Sequence, residues 1–149
     1  MNFDMIDERF IIYGALFSIS NRIQTLGDAR FKDITMKQHF MMIVLDMLGN
    51  SSPSLKEMGE IIGCSYQNVK RMAVALEKNG YLSIIPDDTD KRRLLLKSTG
   101  RFQQLAEANR EATDEFMDMM YRGIPEENIK ILLNTLMQME QNLKKEELK

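Results

Sequence analysis

The sequence predicts a mainly α-helical chain carrying one small β-hairpin, and three observations predict it. Two short amphipathic helical patterns follow one another at 54–80, a turn-rich hairpin pattern comes next at 81–97, and long apolar helical repeats flank both. Helix, tight turn, helix and then a hairpin with a charged tip is the layout of a winged helix-turn-helix.

From the start of the chain, Ile6, Phe10, Tyr13 and Phe17 form one stripe at spacings of three and four. Ile12, Leu16, Ile19, Ile23 and Leu26 form a second. A helix apolar on two sides is usually buried on two sides, so one stripe is expected to cover the core and the other to meet a partner. At 35–49, Thr35 and Gln38 make a capping box, and Phe40, Met41, Val44, Leu45 and Leu48 are expected on the core side of the helix that follows.

Ser54 with Glu57 makes another capping box, after which Leu55, Met58, Ile61 and Ile62 recur at helical spacing. Gly63 suits a left-handed helix stop, and Ser65 is a second N-cap only two residues later. In the next helix Val69, Met72, Ala73 and Leu76 share the inner face, while Gln67, Lys70, Arg71 and Lys78 share the outer one. Asn79-Gly80 ends it. An apolar back with an amide-and-cation front suits the major groove, where amides pair with adenine edges, arginine with guanine and lysine with phosphate. Taken alone, the pattern also fits an amphipathic helix whose charges simply face water.

The hairpin decides between these readings. Tyr81–Ile85 and Arg93–Lys97 are β-branched or apolar runs, and Pro86 to Lys91 between them is turn-rich. The tip carries Asp90, Lys91, Arg92 and Arg93. An arginine there can enter the narrow minor groove, with Asp90 placed to hold Arg92 extended.

Beyond the hairpin, Phe102, Leu105, Ala112, Phe116 and Met119 are expected to line one long helix. Gly123-Ile124-Pro125 breaks the chain, with Pro125 suited to the first turn of a last helix lined by Ile129, Leu132, Leu133, Leu136 and Leu143. Terminal helices this apolar point to a two-fold dimer.

Charge resolves by segment. The whole chain of 149 residues carries a formal net charge of -2, but residues 51–101 hold nine Lys and Arg against six Asp and Glu. The positive balance lies where phosphate contact requires it. Enzyme chemistry finds no foothold: with one histidine and one cysteine, neither a His/Cys zinc cluster nor a Cys-x-x-Cys pair can be built. No Gly-rich phosphate loop or G-x-S-x-G element is present. The expectation is no catalytic residue, no metal and no cofactor. Cys64 is read as a packing residue in the turn; the 13 methionines are read first as base composition or lineage preference, with adaptable thioether packing as the alternative.

On these residues the chain resembles the MarR (multiple antibiotic resistance regulator) family of bacterial transcription factors over essentially its whole length. The carrying elements are Ser65-Tyr66-Gln67-Asn68-Val69, the helix end Leu76-Glu77-Lys78-Asn79-Gly80-Tyr81-Leu82, and the wing Asp90-Lys91-Arg92, which matches the family's D-x-R motif. Thr99 matches the threonine that starts the helix after the wing. The chain departs from the family pattern at Ser98, where leucine is usual, at Phe102, where glycine is common, and at Val74, where a polar residue is usual.

The resemblance implies one domain over 1–149, with dimerisation helices at 1–34 and 99–149 and the winged DNA-binding region at 35–98. It implies a homodimer, most simply a repressor of an inverted-repeat operator released by a small aromatic or phenolic effector. Contacts to duplex DNA are expected from Ser65, Tyr66, Gln67, Asn68, Lys70, Arg71, Asp90, Lys91, Arg92 and Arg93. Effector contacts are expected from Tyr13, Phe17, His39 and Phe40, although a half-buried His39 serving only the core also fits. The alternative function is a winged helix whose basic face meets an acidic protein. With no basic leader, no span-length apolar run and a lone cysteine, the expected location is the bacterial cytoplasm, with no membrane partner.

Overall fold

In the computed structural model, residues 6–149 are described. Seven helices and one hairpin follow in order: α1 (Glu8–Arg30), α2 (Met36–Met47), α3 (Leu55–Ile62), α4 (Tyr66–Lys78), β1 (Leu82–Pro86), β2 (Leu94–Ser98), α5 (Arg101–Ala108), α6 (Arg110–Tyr121) and α7 (Glu126–Glu147). The chain divides into two compact units, 1–112 and 113–149. No helix among the described residues is long and apolar enough to cross a membrane.

The first unit is built on α2, α3, α4 and the hairpin. Met41, Met42, Leu45, Leu55, Met58, Val69, Ala73, Leu76, Leu82 and Leu96 are buried together, closed off by Phe31, Ile34, Tyr81 and Phe102. Local chemistry positions these helices. Thr35 and Gln38 form the reciprocal capping box at α2, and Ser54 and Glu57 form it at α3. Strands β1 and β2 pair antiparallel with Leu82 opposite Ser98 and Pro86 opposite Leu94, one residue further along than the sequence pattern suggests. A short third segment joins them: Ser54 bridges Leu95, and the Leu96 N–H donates to the Pro53 carbonyl at 2.8 Å.

The structure departs from the sequence pattern at several positions. Phe40 is not on the core side of α2; it is 51% exposed, and Met42 is buried instead. The helical positions 38, 41, 42 and 45 define the inner face, and 40 falls outside it. Ile61 is likewise exposed on α3. Neither stripe of α1 covers the core: only Gly27 is buried in this helix. At 23 residues α1 runs about 35 Å, far past the 12 residues of α2, and near its C-terminal end the Met36 N–H donates to Asp28 at 2.7 Å. There the Met36 side chain lies directly on Gly27, so that a Cβ on this glycine would come 2.0 Å from Met36 Cγ.

The expected long helix after the hairpin is two, α5 and α6, interrupted at Asn109. The Asn109 side-chain amide donates to the Leu105 carbonyl at 2.9 Å, the local competition with the helix ladder to which asparagine is prone. Thr99 does not itself cap α5. Gly100 takes the N-cap position at φ +85°, a conformation favoured by glycine. Pro125 sits at the N-cap of α7 rather than inside its first turn. In the second unit Phe116 is buried, while α7 buries none of its residues and leaves Ile131, Leu132, Leu133 and Leu143 exposed.

Candidate nucleic-acid interface

The helix-turn-helix is closed by backbone contact. Gly63 adopts φ +68°, and the Cys64 N–H returns to the Gly59 carbonyl at 2.9 Å. A Cβ on Gly59 would lie 2.7 Å from the Cys64 carbonyl oxygen, so only glycine allows the turn this close to α3. Cys64 is half-buried and packs against the core. Ser65 then caps α4, accepting from the Asn68 N–H at 3.3 Å.

Helix α4 divides as its periodicity predicts. Val69, Met72, Ala73 and Leu76 are buried, whereas Tyr66, Gln67, Asn68, Lys70, Arg71, Val74 and Lys78 are exposed. Arg71 donates to the Asn68 side-chain oxygen at 3.1 Å, which preorders two groups of the outer face.

At the hairpin tip, Asp87 accepts from the Thr89 backbone and hydroxyl, both at 2.9 Å, and so fixes the turn. Asp90 accepts from the Arg92 N–H at 3.1 Å and from its Nε at 3.2 Å. That double contact holds the arginine backbone and stem while leaving the side chain 92% exposed. Lys91 lies 3.3 Å from Asp88. Arg93 is engaged inward: it donates to Glu57 at the start of α3 and, at 3.3 Å, to Asp87.

These contacts tie the wing to the helices. The Glu77 carboxylate on α4 accepts from the Ile84 N–H of β1 at 2.6 Å. The Thr99 hydroxyl donates to the Gly80 carbonyl just past α4, and the Thr99 N–H donates to the Tyr81 carbonyl at 3.2 Å. Arg101 lies over the Tyr81 ring, 5.5 Å from its centroid. Helix α4 and the hairpin thus belong to one braced body, held at mid-strand by Glu77, at the base by Thr99 and toward the tip by Glu57. The acids involved are tuned for it. Glu57 is held below its ordinary range, first by the Ser54 backbone N–H and also by Arg93; Asp87 is lowered first by the Thr89 backbone.

Two members of this brace, and the close approach at Gly59 in the turn before it, are not foreseen from the sequence. Glu57 shows in the sequence only as a capping residue, and nothing local announces a partner 36 residues away. Glu77 shows there only as part of the helix-end run 76–82, and Gly59 has no local pattern that marks it.

The residues expected to meet an effector behave differently. His39 stacks on Phe31 with ring centroids 5.6 Å apart and meets Phe102 edge-on at the same distance. Burial lowers its pKa, favouring the neutral ring. Tyr13 and Phe17 pack edge-to-face at 5.1 Å on the exposed surface of α1, and Phe40 is exposed on α2. No His, Cys, Asp and Glu group able to hold a metal ion occurs among the described residues.

No family model and no curated protein matches the sequence. Solved structures do match the fold. A MarR protein from Peptoclostridium difficile superposes with a TM-score of 0.80 at 18% identity, covering 98% of this chain and 94% of that one. The S. aureus MepR–DNA complex gives 0.74 at 21% identity, with 87% and 97% covered. The PcaV transcriptional regulator from Streptomyces coelicolor, solved with its natural ligand, gives 0.74 at 12% identity, with 95% and 96% covered. The chain has the fold of the MarR-type winged-helix regulators.

Proposed function

We propose that this protein is a DNA-binding transcriptional regulator of the MarR type, acting as a homodimeric repressor of an inverted-repeat operator. The observation that carries the reading is the braced pair of surfaces just described. One is an exposed amide-and-cation face on α4; the other is a tip arginine oriented by Asp90. Gln67, Asn68, Lys70 and Arg71 supply major-groove and phosphate contacts, with Ser65 and Tyr66 at the leading end of the helix. Arg92 enters the minor groove and Lys91 faces phosphate. Arg93 contributes chiefly by anchoring the wing through Glu57 and Asp87. That one structural neighbour was solved on DNA supports this assignment.

The exposed apolar face of α1, with Phe10, Tyr13 and Phe17, is the natural contact for a second copy, and the apolar residues of α7 extend the same argument. A neighbour solved with its natural ligand supports release by a small molecule. Tyr13, Phe17, His39 and Phe40 remain the candidates for it, with His39 limited to a neutral, stacking role.

The test is binding of a mixed-sequence duplex at several salt concentrations. Arg92→Ala is expected to weaken binding to all sequences and to flatten the salt dependence by about one counterion per wing. Unchanged affinity and slope would remove the wing from the interface. Loss of all binding at moderate salt in the unaltered protein would favour an acidic protein as the partner of the basic face.

A further inference from the structure

Val74 is the one apolar side chain on the outer face of α4 beyond its first residue, and it is 52% exposed. It lies two turns after Gln67 and one turn after Lys70 and Arg71, so it shares their direction. It points away from buried Met72 and Leu76. No core contact accounts for it there, and a β-branched residue is a poorer local choice than lysine or glutamine at an exposed helix position. Its neighbours at i−4 and i+4 are Lys70 and Lys78, both exposed. When their ammonium groups reach for phosphate, their alkyl stems flank the valine and keep water from its sides.

We infer that Val74 reads the 5-methyl group of a thymine in the major groove, making it a specificity-determining residue; this rests on the DNA-binding reading above. The chemistry selects that group. Each base pair shows the major groove a distinct set of donors and acceptors, and thymine alone adds a methyl, the one feature an isopropyl group can recognise. Valine offers no hydrogen bond, so it cannot replace Gln67 or Arg71 in reading amide or carbonyl edges. It also leaves a cytosine amino group facing an apolar surface, which costs binding and adds discrimination against that base. Val74 lies about 10 Å along the helix axis from Gln67, so the thymine falls several base steps from the pair that Gln67 reads.

The test uses the full-length chain and the best duplex recovered by selection from random sequences. Each thymine is replaced in turn by deoxyuridine, which deletes only the methyl, and affinity is measured for the unaltered protein and for Val74→Ser. One thymine per half-site is expected at which deoxyuridine weakens the unaltered protein about fourfold, the value of transferring one methyl group. The same replacement should leave Val74→Ser unchanged, and Val74→Thr, which keeps one methyl, should fall between. If no thymine distinguishes the unaltered protein from Val74→Ser, the methyl-reading assignment is overturned while the DNA-binding reading stands. If no duplex can be selected at all, both fall together. Because Val74 is exposed, loss of fold does not confuse the comparison, and matching thermal melts of the two proteins verify this.

Discussion

The winged body at 54–99 and the helix α1 spend their side chains in opposite ways. In the winged body most of the apolar residues are buried, and two carboxylates reach across elements, Glu57 to Arg93 and Glu77 to the Ile84 N–H. Along α1 only a glycine is buried, and large apolar groups such as Phe10 and Phe17 stand in the open. The first region is finished within one chain; the second is an unfinished surface. The two kinds of region should therefore respond differently to mutation, the winged body through its stability and α1 through association.

The largest effect should come from the core of the winged body. Leu76→Ala removes a side chain only 1% exposed and should cost about 2–5 kcal/mol, seen as a lower midpoint in urea unfolding. A cost below about 1 kcal/mol would mean that α4 is not packed as described. Next comes Gly59→Ala, whose methyl has only 2.7 Å to the Cys64 carbonyl; about 1–3 kcal/mol is expected, together with weaker DNA binding as α3 and α4 are pushed apart.

On α1 the sign of the comparison changes. Phe10→Ser with Phe17→Ser removes exposed groups, so the intrinsic stability of a single chain should move by no more than about 0.5 kcal/mol per site. Sedimentation should instead show the dimer giving way to monomer. A variant that stays dimeric, or that unfolds as a monomer at high dilution, would break the contrast between the two regions.

The smallest effects concern charge. Glu57→Gln keeps the cap on α3 but loses the ion pair with Arg93, a half-exposed contact worth about 1 kcal/mol or less. Because Glu57 and Asp87 titrate below their ordinary values when folded, their contribution is complete above about pH 5 and disappears as the pH falls through the lowered folded values. His39 works in a different window. Its folded pKa is lowered, so the chain loses stability as the pH falls below the ordinary histidine value of about 6.5. His39→Phe should flatten the stability profile between pH 7 and pH 5; an unchanged slope would show that burial between Phe31 and Phe102 does not govern that titration.

What could be read from the sequence follows from the range of the interactions. Both capping boxes, the Gly63 stop and the two faces of α4 depend on residues within a few positions of each other, and all are found in the structure. The Asp90–Arg92 pair at the tip is equally local. What escaped is set by tertiary geometry. Apolar periodicity cannot tell a stripe buried in its own chain from one left exposed, so one stripe of α1 reads as covering the core when only Gly27 of that helix is buried. Phe40 misleads for a related reason: its hydrophobicity suggests the core, while the helical phase set by Met41 and Leu45 turns it outward. The brace from Glu57 to Arg93 spans two elements and leaves no mark in the sequence around either residue. The break at Asn109 carried a weak local sign, an asparagine in mid-helix.

In the proposed function the winged body reads duplex DNA while the exposed apolar helices bring two such bodies together. Binding-site selection from random duplexes with the full-length protein, at two salt concentrations, tests it most directly. The expected result is enrichment of an inverted repeat whose half-sites lie about one helical turn apart, roughly 34–36 Å, with binding that persists at the higher salt. Enrichment of nothing, with binding lost at moderate salt, would contradict it.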